Sequence, residues 1–301
     1  MKLPFYLKKY KADIFVSEKI ISSTTKVPQI LVFPELSFLK HPSFLDKKFI
    51  HFYKKYNSLY FEKAAAIIVN SHFSKQNIIA NYQTDSQKIK VVYQEIDNRF
   101  SPLDFEEKEL IKQKYADGNE FFIYKGIIGN QENLLNLLKA FSFFKKWQKS
   151  SMQLIIAGEP GSGYAEFVES FKHFRFHNEV KMLDLPNDEM LKVIAAAYAM
   201  VFIPLVETAS VAPLEAMKCE VPVICSSIGE LTELCGEAAL VANENDFKDI
   251  AEKMILVFRD ENLKNKLVQK GKENLKEYQR NEMPSMFLDT ILNAGKEKPL
   301  G

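Results

Sequence analysis

The chain has 301 residues, 47% apolar and 26% charged, a balance that suits one or two folded cores and excludes a disordered polymer. Its 40 basic and 39 acidic residues leave a net charge of +1, and no RNA-binding signature accompanies them, so nucleic acid is not an expected partner. No leader pattern opens the chain, the longest apolar window (193–206) is too short for a bilayer, and three cysteines without Cys-x-x-Cys spacing argue against a disulfide framework.

Strand signals open the chain at Ile14 to Val16, Gln29 to Phe33, Ala66 to Val69 and Lys90 to Tyr93, with a helical stretch from Phe44 to Lys63. That is about half an open sheet. The charged stretch 105–117 reads as a linker. Residues 1–63 hold twelve lysines against five acids, a charge of +7 that leaves −6 for the remainder. Within them the segment 44–61 interleaves Phe44, Phe49, Phe52, Tyr53, Tyr56, Tyr60 and Phe61 with Lys47, Lys48, Lys54 and Lys55. Two readings fit: a core-facing helix with a solvated lysine face, or peripheral docking on an anionic membrane surface.

From Glu120 onward short apolar runs alternate with helical patterns. Phe121 to Ile128, Met152 to Ala157, Val180 to Leu185, Met200 to Val206, Val221 to Cys225 and Ala238 to Ala242 read as strands. Between them the apolar residues recur at helical spacing, most clearly Leu134, Leu137, Leu138, Phe141 and Phe144. Helices are expected at 247–257, 263–278 and 283–292. Alternation of this kind predicts a parallel, doubly wound sheet.

The chemistry concentrates in Glu207-Thr-Ala-Ser-Val-Ala-Pro-Leu-Glu215, where two carboxylates bracket a strand-to-helix turn. Pro213 suits the first turn of a helix, and the loop Thr208 to Ser210 offers backbone N–H groups of the kind that seat phosphate. Carboxylates accept from sugar hydroxyls and amides donate to phosphate, so the combination fits a nucleotide sugar. Lys125, Gly126 and Gly129 precede a helix with Asn130 as its expected N-cap, either a pyrophosphate cradle or a plain turn. Gly158 to Gly163 has the glycine order of neither a dinucleotide fingerprint nor a first strand, and reads as a loop of the same domain. His173 and His177 have helical spacing without the intervening Glu of a metalloprotease, and no Asp-x-Asp occurs, so no metal is expected.

The Glu207 to Glu215 element, followed by Ala216, Met217, Cys219, Pro222, Val223 and Ile224, resembles the E-x7-E motif of the group 1 (family 4) glycosyltransferases of the GT-B fold. Lys63 to Pro102 resembles the close of that family's N-terminal domain, and Phe121 to Phe141 the opening of its C-terminal one. The chain departs from the pattern at Thr208, Ser210 and Glu220, where the family has glycines. It departs again at Ile127 and Glu132, where an Arg and a Lys grip the donor pyrophosphate, and Pro34, Glu35 and Leu36 replace a His-Asp-Leu run.

The resemblance implies two Rossmann-type doubly wound lobes, the N-terminal one incomplete. The expected domains are 1–105 on the acceptor side, 106–282 for the nucleotide sugar, and a helix from 283 to 301 returning to the first. The family's first strand and glycine loop have no counterpart, as in a fragment, an internal start or a reduced acceptor half. The implied activity is retaining transfer of a sugar from a nucleotide-diphosphate donor to a glycan or lipid-linked acceptor, without metal or other cofactor. Glu207 would be the catalytic carboxylate, Glu215 the ribose ligand, and Thr208, Ser210, Val211, Lys125 and Gly126 further donor contacts. The alternative is a non-catalytic GT-B relative whose donor site has decayed. The expected location is the cytoplasm, peripherally on the inner face of the membrane if the segment 44–61 docks there.

Overall fold

The computed structural model describes residues 3–18, 20–33, 47–206, 210–280 and 283–296. Contacts divide the chain into two units, Met1–Glu95 with Tyr278–Gly301, and Ile96–Glu277.

The first unit is built on four parallel strands, β1 (Phe15–Glu18), β2 (Gln29–Val32), β3 (Ala66–Val69) and β4 (Ile89–Val91), in that spatial order. A parallel strand covered on both sides must be apolar throughout, which accounts for the Ala-Ile-Ile-Val of β3. Its alternate residues serve opposite faces. Ile67 and Val69 join Leu31, Phe33, Ile78, Tyr53, Tyr60 and Phe61 in one core. These last four come from α2 (Lys47–Lys63) and α3 (His72–Tyr82), while α1 (Leu3–Lys9) precedes β1. Ala66 and Ile68 face the other way with Ile30, against Phe287, Ile291 and Ala294 of the final helix (Met283–Lys296).

The aromatic segment therefore takes the core-facing reading. Tyr53, Tyr60 and Phe61 are buried, Phe52 and Tyr56 pack against them, and Lys47, Lys48, Lys54 and Lys55 lie on the exposed side. Burial of these rings leaves the lysines as the groups on the solvated face of the helix. Phe44 lies outside the described residues.

The second unit holds six parallel strands: β5 (Phe121–Lys125), β6 (Gln153–Ala157), β7 (Val180–Leu183), β8 (Ala199–Phe202), β9 (Val223–Ser226) and β10 (Ala239–Ala242). Their spatial order is β10-β9-β8-β5-β6-β7. The chain thus lays β5 in the centre, builds outward to β7, then returns and builds the other way from β8. The crevice outside the carboxyl ends of β5 and β8, where the order reverses, is where open parallel sheets bind ligands.

The stretch 105–117 is not a linker. Residues Phe105–Tyr115 form helix α4 inside this unit, so the expected boundary at 105 also falls within it. Asp104 accepts from the Glu107 N–H at 2.8 Å and Glu107 accepts from the Asp104 N–H at 3.2 Å, a reciprocal cap. Lys112 is held between Glu109 at 2.8 Å and Glu120 at 2.6 Å. Helix α5 (Leu134–Gln148) then buries Leu137, Leu138, Phe141 and Phe144. Phe144 meets Phe122 of β5 edge to face at 5.1 Å and Phe258 at 5.3 Å. Truncating such a ring to alanine costs about 3–5 kcal/mol. The remaining helices are α6 (Tyr164–Lys172), α7 (Asn187–Ala195), α8 (Ala212–Lys218), α9 (Gly229–Cys235), α10 (Phe247–Arg259), to which Phe258 belongs, and α11 (Glu261–Arg280), so the final helix is α12.

Candidate functional site

The end of β5 supplies Lys125, and α8, which packs on β8 and β9, supplies Glu215. The helix starts where it does because Val211 caps it with its carbonyl, accepting from the Leu214 and Glu215 N–H groups at 2.9 and 3.0 Å, and because Pro213 fits its first turn. Ser210 Oγ accepts from the Ala212 N–H at 3.3 Å, so its hydroxyl braces this turn. The Lys125 ammonium donates to Glu215 Oε2 at 2.6 Å, with the two side chains 29% and 9% exposed. Two residues that the sequence separates widely thus meet at the reversal of strand order. Glu207 and Thr208 lie outside the described residues, as do Pro34, Glu35 and Leu36.

The loop after β5 does not form a helix N-terminus capped by Asn130. It runs on as an extended segment against the loop after β6. The N–H groups of Gly126, Ile128 and Asn130 donate to Ala157, Glu159 and Ser162 carbonyls at 3.0, 2.8 and 2.8 Å, and Gly161 donates back to Ile128 at 3.0 Å. These three alternate amides are therefore engaged within the protein, which favours the plain-turn reading for them. A short 3-10 turn (Asn130–Glu132) follows, and Asn133, with φ of 59°, leads into α5. The loop after β6 needs its glycines for this fit. A Cβ on Gly158 would lie 1.6 Å from the Gly126 carbonyl oxygen, and one on Gly163 would lie 2.0 Å from Asn130 Oδ1. These glycines serve backbone approach within the protein.

The two departures from the cation pattern have different surroundings. Ile127 is exposed. Glu132 receives the hydroxyl of Tyr124, a fully buried side chain whose oxygen lies 2.9 Å from Glu132 Oε2 and 2.8 Å from the Ile127 carbonyl. Burial first, and the Glu132 charge second, hold that hydroxyl well above the ordinary phenol range.

Sequence reasoning missed a polar tie across the same sheet ends. Glu244 accepts from the Ser227 hydroxyl and N–H at 2.8 and 3.2 Å, while its carbonyl accepts from Asn133 and Asn136 at 2.7 and 3.2 Å. Lys218, at the far end of α8, donates to the Asp97 carbonyl and to Asn98 Oδ1 at 3.0 and 2.9 Å. These partners lie far apart in sequence, and no local pattern announces them. Among the described residues, no group of three or more His, Cys, Asp or Glu is arranged to hold a metal ion. No described helix is long and apolar enough to cross a membrane.

Residues 105–274, more than half of the chain, match the family described as Glycosyl transferases group 1. The chain belongs to that family. Among relatives of this group 1 glycosyltransferase, the O-antigen chain mannosyltransferase B of Escherichia coli is 23% identical over 251 residues, covering 83% of this chain and 66% of the relative. The O-antigen chain mannosyltransferase RfbU of Salmonella typhimurium is 27% identical over 208 residues, covering 68% and 54%. The chain therefore spans about two thirds of the first relative and about half of the second. In three dimensions it is similar to sucrose-phosphate synthase from Thermosynechococcus elongatus, with a TM-score of 0.80 at 17% identity over 98% of this chain and 77% of that one. It is also similar to WaaG, a glycosyltransferase involved in lipopolysaccharide biosynthesis, with a TM-score of 0.77 at 14% identity over 96% and 80%. These likenesses establish the GT-B fold.

Proposed function

We propose that this chain transfers a sugar from a nucleotide-diphosphate donor to a hydroxyl of a glycan or lipid-linked acceptor, with retention at the anomeric carbon. The observation that carries the reading is the convergence of Lys125 and Glu215, 2.6 Å apart, at the reversal of strand order in the second unit. The ribose would bind Glu215, and the diphosphate would lie toward Lys125 and Gly126. Thr208, Ser210 and Val211 would line the turn between the carboxylates. Membership of the group 1 family supports the reaction class, and the likeness to two O-antigen chain mannosyltransferases makes mannose the first sugar to test.

In the proposed step the bond from the sugar's anomeric carbon to the diphosphate oxygen breaks, and its electron pair leaves with the nucleoside diphosphate. The acceptor oxygen forms the new bond on the same face and gives its proton to the departing phosphate oxygen. Glu207 would stabilise the oxocarbenium-like centre by its charge. No metal enters this proposal, since the sequence holds no Asp-x-Asp pair and the leaving charge is assigned to amides and a lysine. The proposed setting is the cytoplasm, with any attraction to the inner membrane face resting on Lys47, Lys48, Lys54 and Lys55 rather than on inserted rings.

The test is incubation of the purified chain with GDP- and UDP-linked sugars and glycan or lipid-linked acceptors, with and without EDTA, followed by NMR assignment of the new linkage. Transfer with the donor's own anomeric configuration, undiminished by chelator, is the expected result. Inversion would overturn the stereochemical part, and loss of activity in EDTA restored by manganese would overturn the metal-free part. Absence of both transfer and donor binding would overturn the reading.

A further inference from the structure

The diphosphate of a nucleotide donor brings concentrated negative charge to the end of β5. There the two positions that would be cationic in the family pattern hold an exposed isoleucine, Ile127, and a carboxylate, Glu132, engaged by Tyr124. Lys125 places an ammonium at that strand end, and it is already committed to Glu215, whose carboxylate is nearly buried. A buried carboxylate stripped of its partner is strongly disfavoured, so Lys125 leaves Glu215 only if other donors replace it. Ribose hydroxyls are such donors. Conversely, neutral hydroxyls compete poorly against an ammonium for a carboxylate, because hydrogen bonds between charged groups are the stronger ones.

From this geometry we infer that Lys125 is exchanged between two anions: it holds Glu215 in the empty site and passes to the diphosphate as the ribose takes its place on Glu215. This inference rests on the donor reading above. Each half of the nucleotide then makes room for the other, and the site selects phosphorylated nucleosides over bare ones through a single lysine. Lys125 is a positioning residue for Glu215 before binding and a direct ligand of the diphosphate after it.

Calorimetric titration of the full chain with a nucleoside and its diphosphate, for the base that binds best, tests the exchange. The wild type is expected to prefer the diphosphate by at least about a hundred-fold. Lys125→Met should weaken the diphosphate by at least about ten-fold. It should leave the nucleoside unchanged or tighter, because Glu215 no longer has a competing ammonium. Lys125→Arg should stay within about three-fold of the wild type for the diphosphate. If Lys125 merely held Glu215 in place, Lys125→Met would weaken both ligands by the same factor, and that result overturns the exchange while leaving the donor reading intact. Should Lys125→Met fail to fold, Lys125→Met with Glu215→Gln leaves no unpaired charge. Compared with Glu215→Gln alone, it must still lose at least about ten-fold for the diphosphate, and equal affinity refutes the inference. Failure of the wild type to bind any nucleoside diphosphate overturns the donor reading and the exchange together.

Discussion

Replacing Glu132 by lysine should weaken the fold and strengthen the site at once. In the present structure the buried Tyr124 hydroxyl has two acceptors, the Ile127 carbonyl at 2.8 Å and Glu132 Oε2 at 2.9 Å. Losing a hydrogen bond to a charged group costs roughly 1.5–3 kcal/mol. Here the hydroxyl keeps the Ile127 carbonyl, so no buried donor is orphaned, and the cost should fall to about 1–2 kcal/mol. For a unit of this size that lowers the melting temperature by roughly 2–8 °C. Glu132→Gln keeps an acceptor and should cost less than half as much. If the lysine reaches the donor diphosphate, nucleoside diphosphate affinity should rise by about ten-fold or more. Thermal melting and calorimetry on the same preparations read both effects. A Glu132→Lys variant as stable as wild type, or a glutamine variant as costly as the lysine one, would refute the Tyr124 argument. An unchanged affinity would show that this turn does not face the donor.

Three further outcomes are expected. Gly158→Ala puts a Cβ 1.6 Å from the Gly126 carbonyl at a φ of 152°, so it should cost more than about 3 kcal/mol in thermal melting and weaken nucleotide binding by parting the two loops; a wild-type melt would contradict their close pairing. Cys219, Cys225 and Cys235 are buried, and burial pushes the Cys219 thiol up from 9.0 to about 12, so a thiol reagent at pH 8 should label them only after denaturation. Since the folded value is the higher, any stability from keeping the Cys219 thiol protonated is complete below pH 9.0 and lost as pH rises through about 12. Hydrogen bonds from Arg99 hold the Asp97 carboxyl at about 2, so whatever it contributes is present above its ordinary 3.8 and lost as pH falls through about 2. An NMR titration should find the Asp97 midpoint there in the wild type and higher in Arg99→Ala, where the backbone N–H of residue 99 and Lys218 still hold it below the ordinary value, and identical midpoints would dismiss the side-chain pairing.

Much of the architecture was legible because parallel strands buried on both faces must be short unbroken apolar runs. Residues 66–69, 154–157 and 223–225 announce themselves in that way. Helix α4 escaped because it buries little, Ile111 and the stem of Lys112 within eleven residues, and so lacks a clear apolar stripe. Its signal was the Asp104 to Glu107 capping spacing. The site was legible in residue type only. Glu215 and Lys125 stand out by their motif surroundings, yet their contact depends on β8 returning to the side of β5, which no local pattern encodes. For the same reason the amides of Gly126, Ile128 and Asn130 looked available in sequence, whereas the loop after β6 engages them. The aromatic segment 44–61 was ambiguous because rings that enter a core and rings on a surface-docking helix share one spacing; among its described residues, Tyr53, Tyr60 and Phe61 enter the core.

The central claim, that the crevice at the ends of β5 and β8 receives a nucleotide sugar, is tested most directly by a crystal structure of the chain grown with the nucleoside diphosphate that calorimetry finds tightest. The account predicts the ribose within hydrogen-bonding distance of Glu215 and the diphosphate against Lys125, with their mutual contact of 2.6 Å broken. A nucleotide bound elsewhere, or bound with the Lys125 to Glu215 pair intact and the ribose remote from it, would contradict the account.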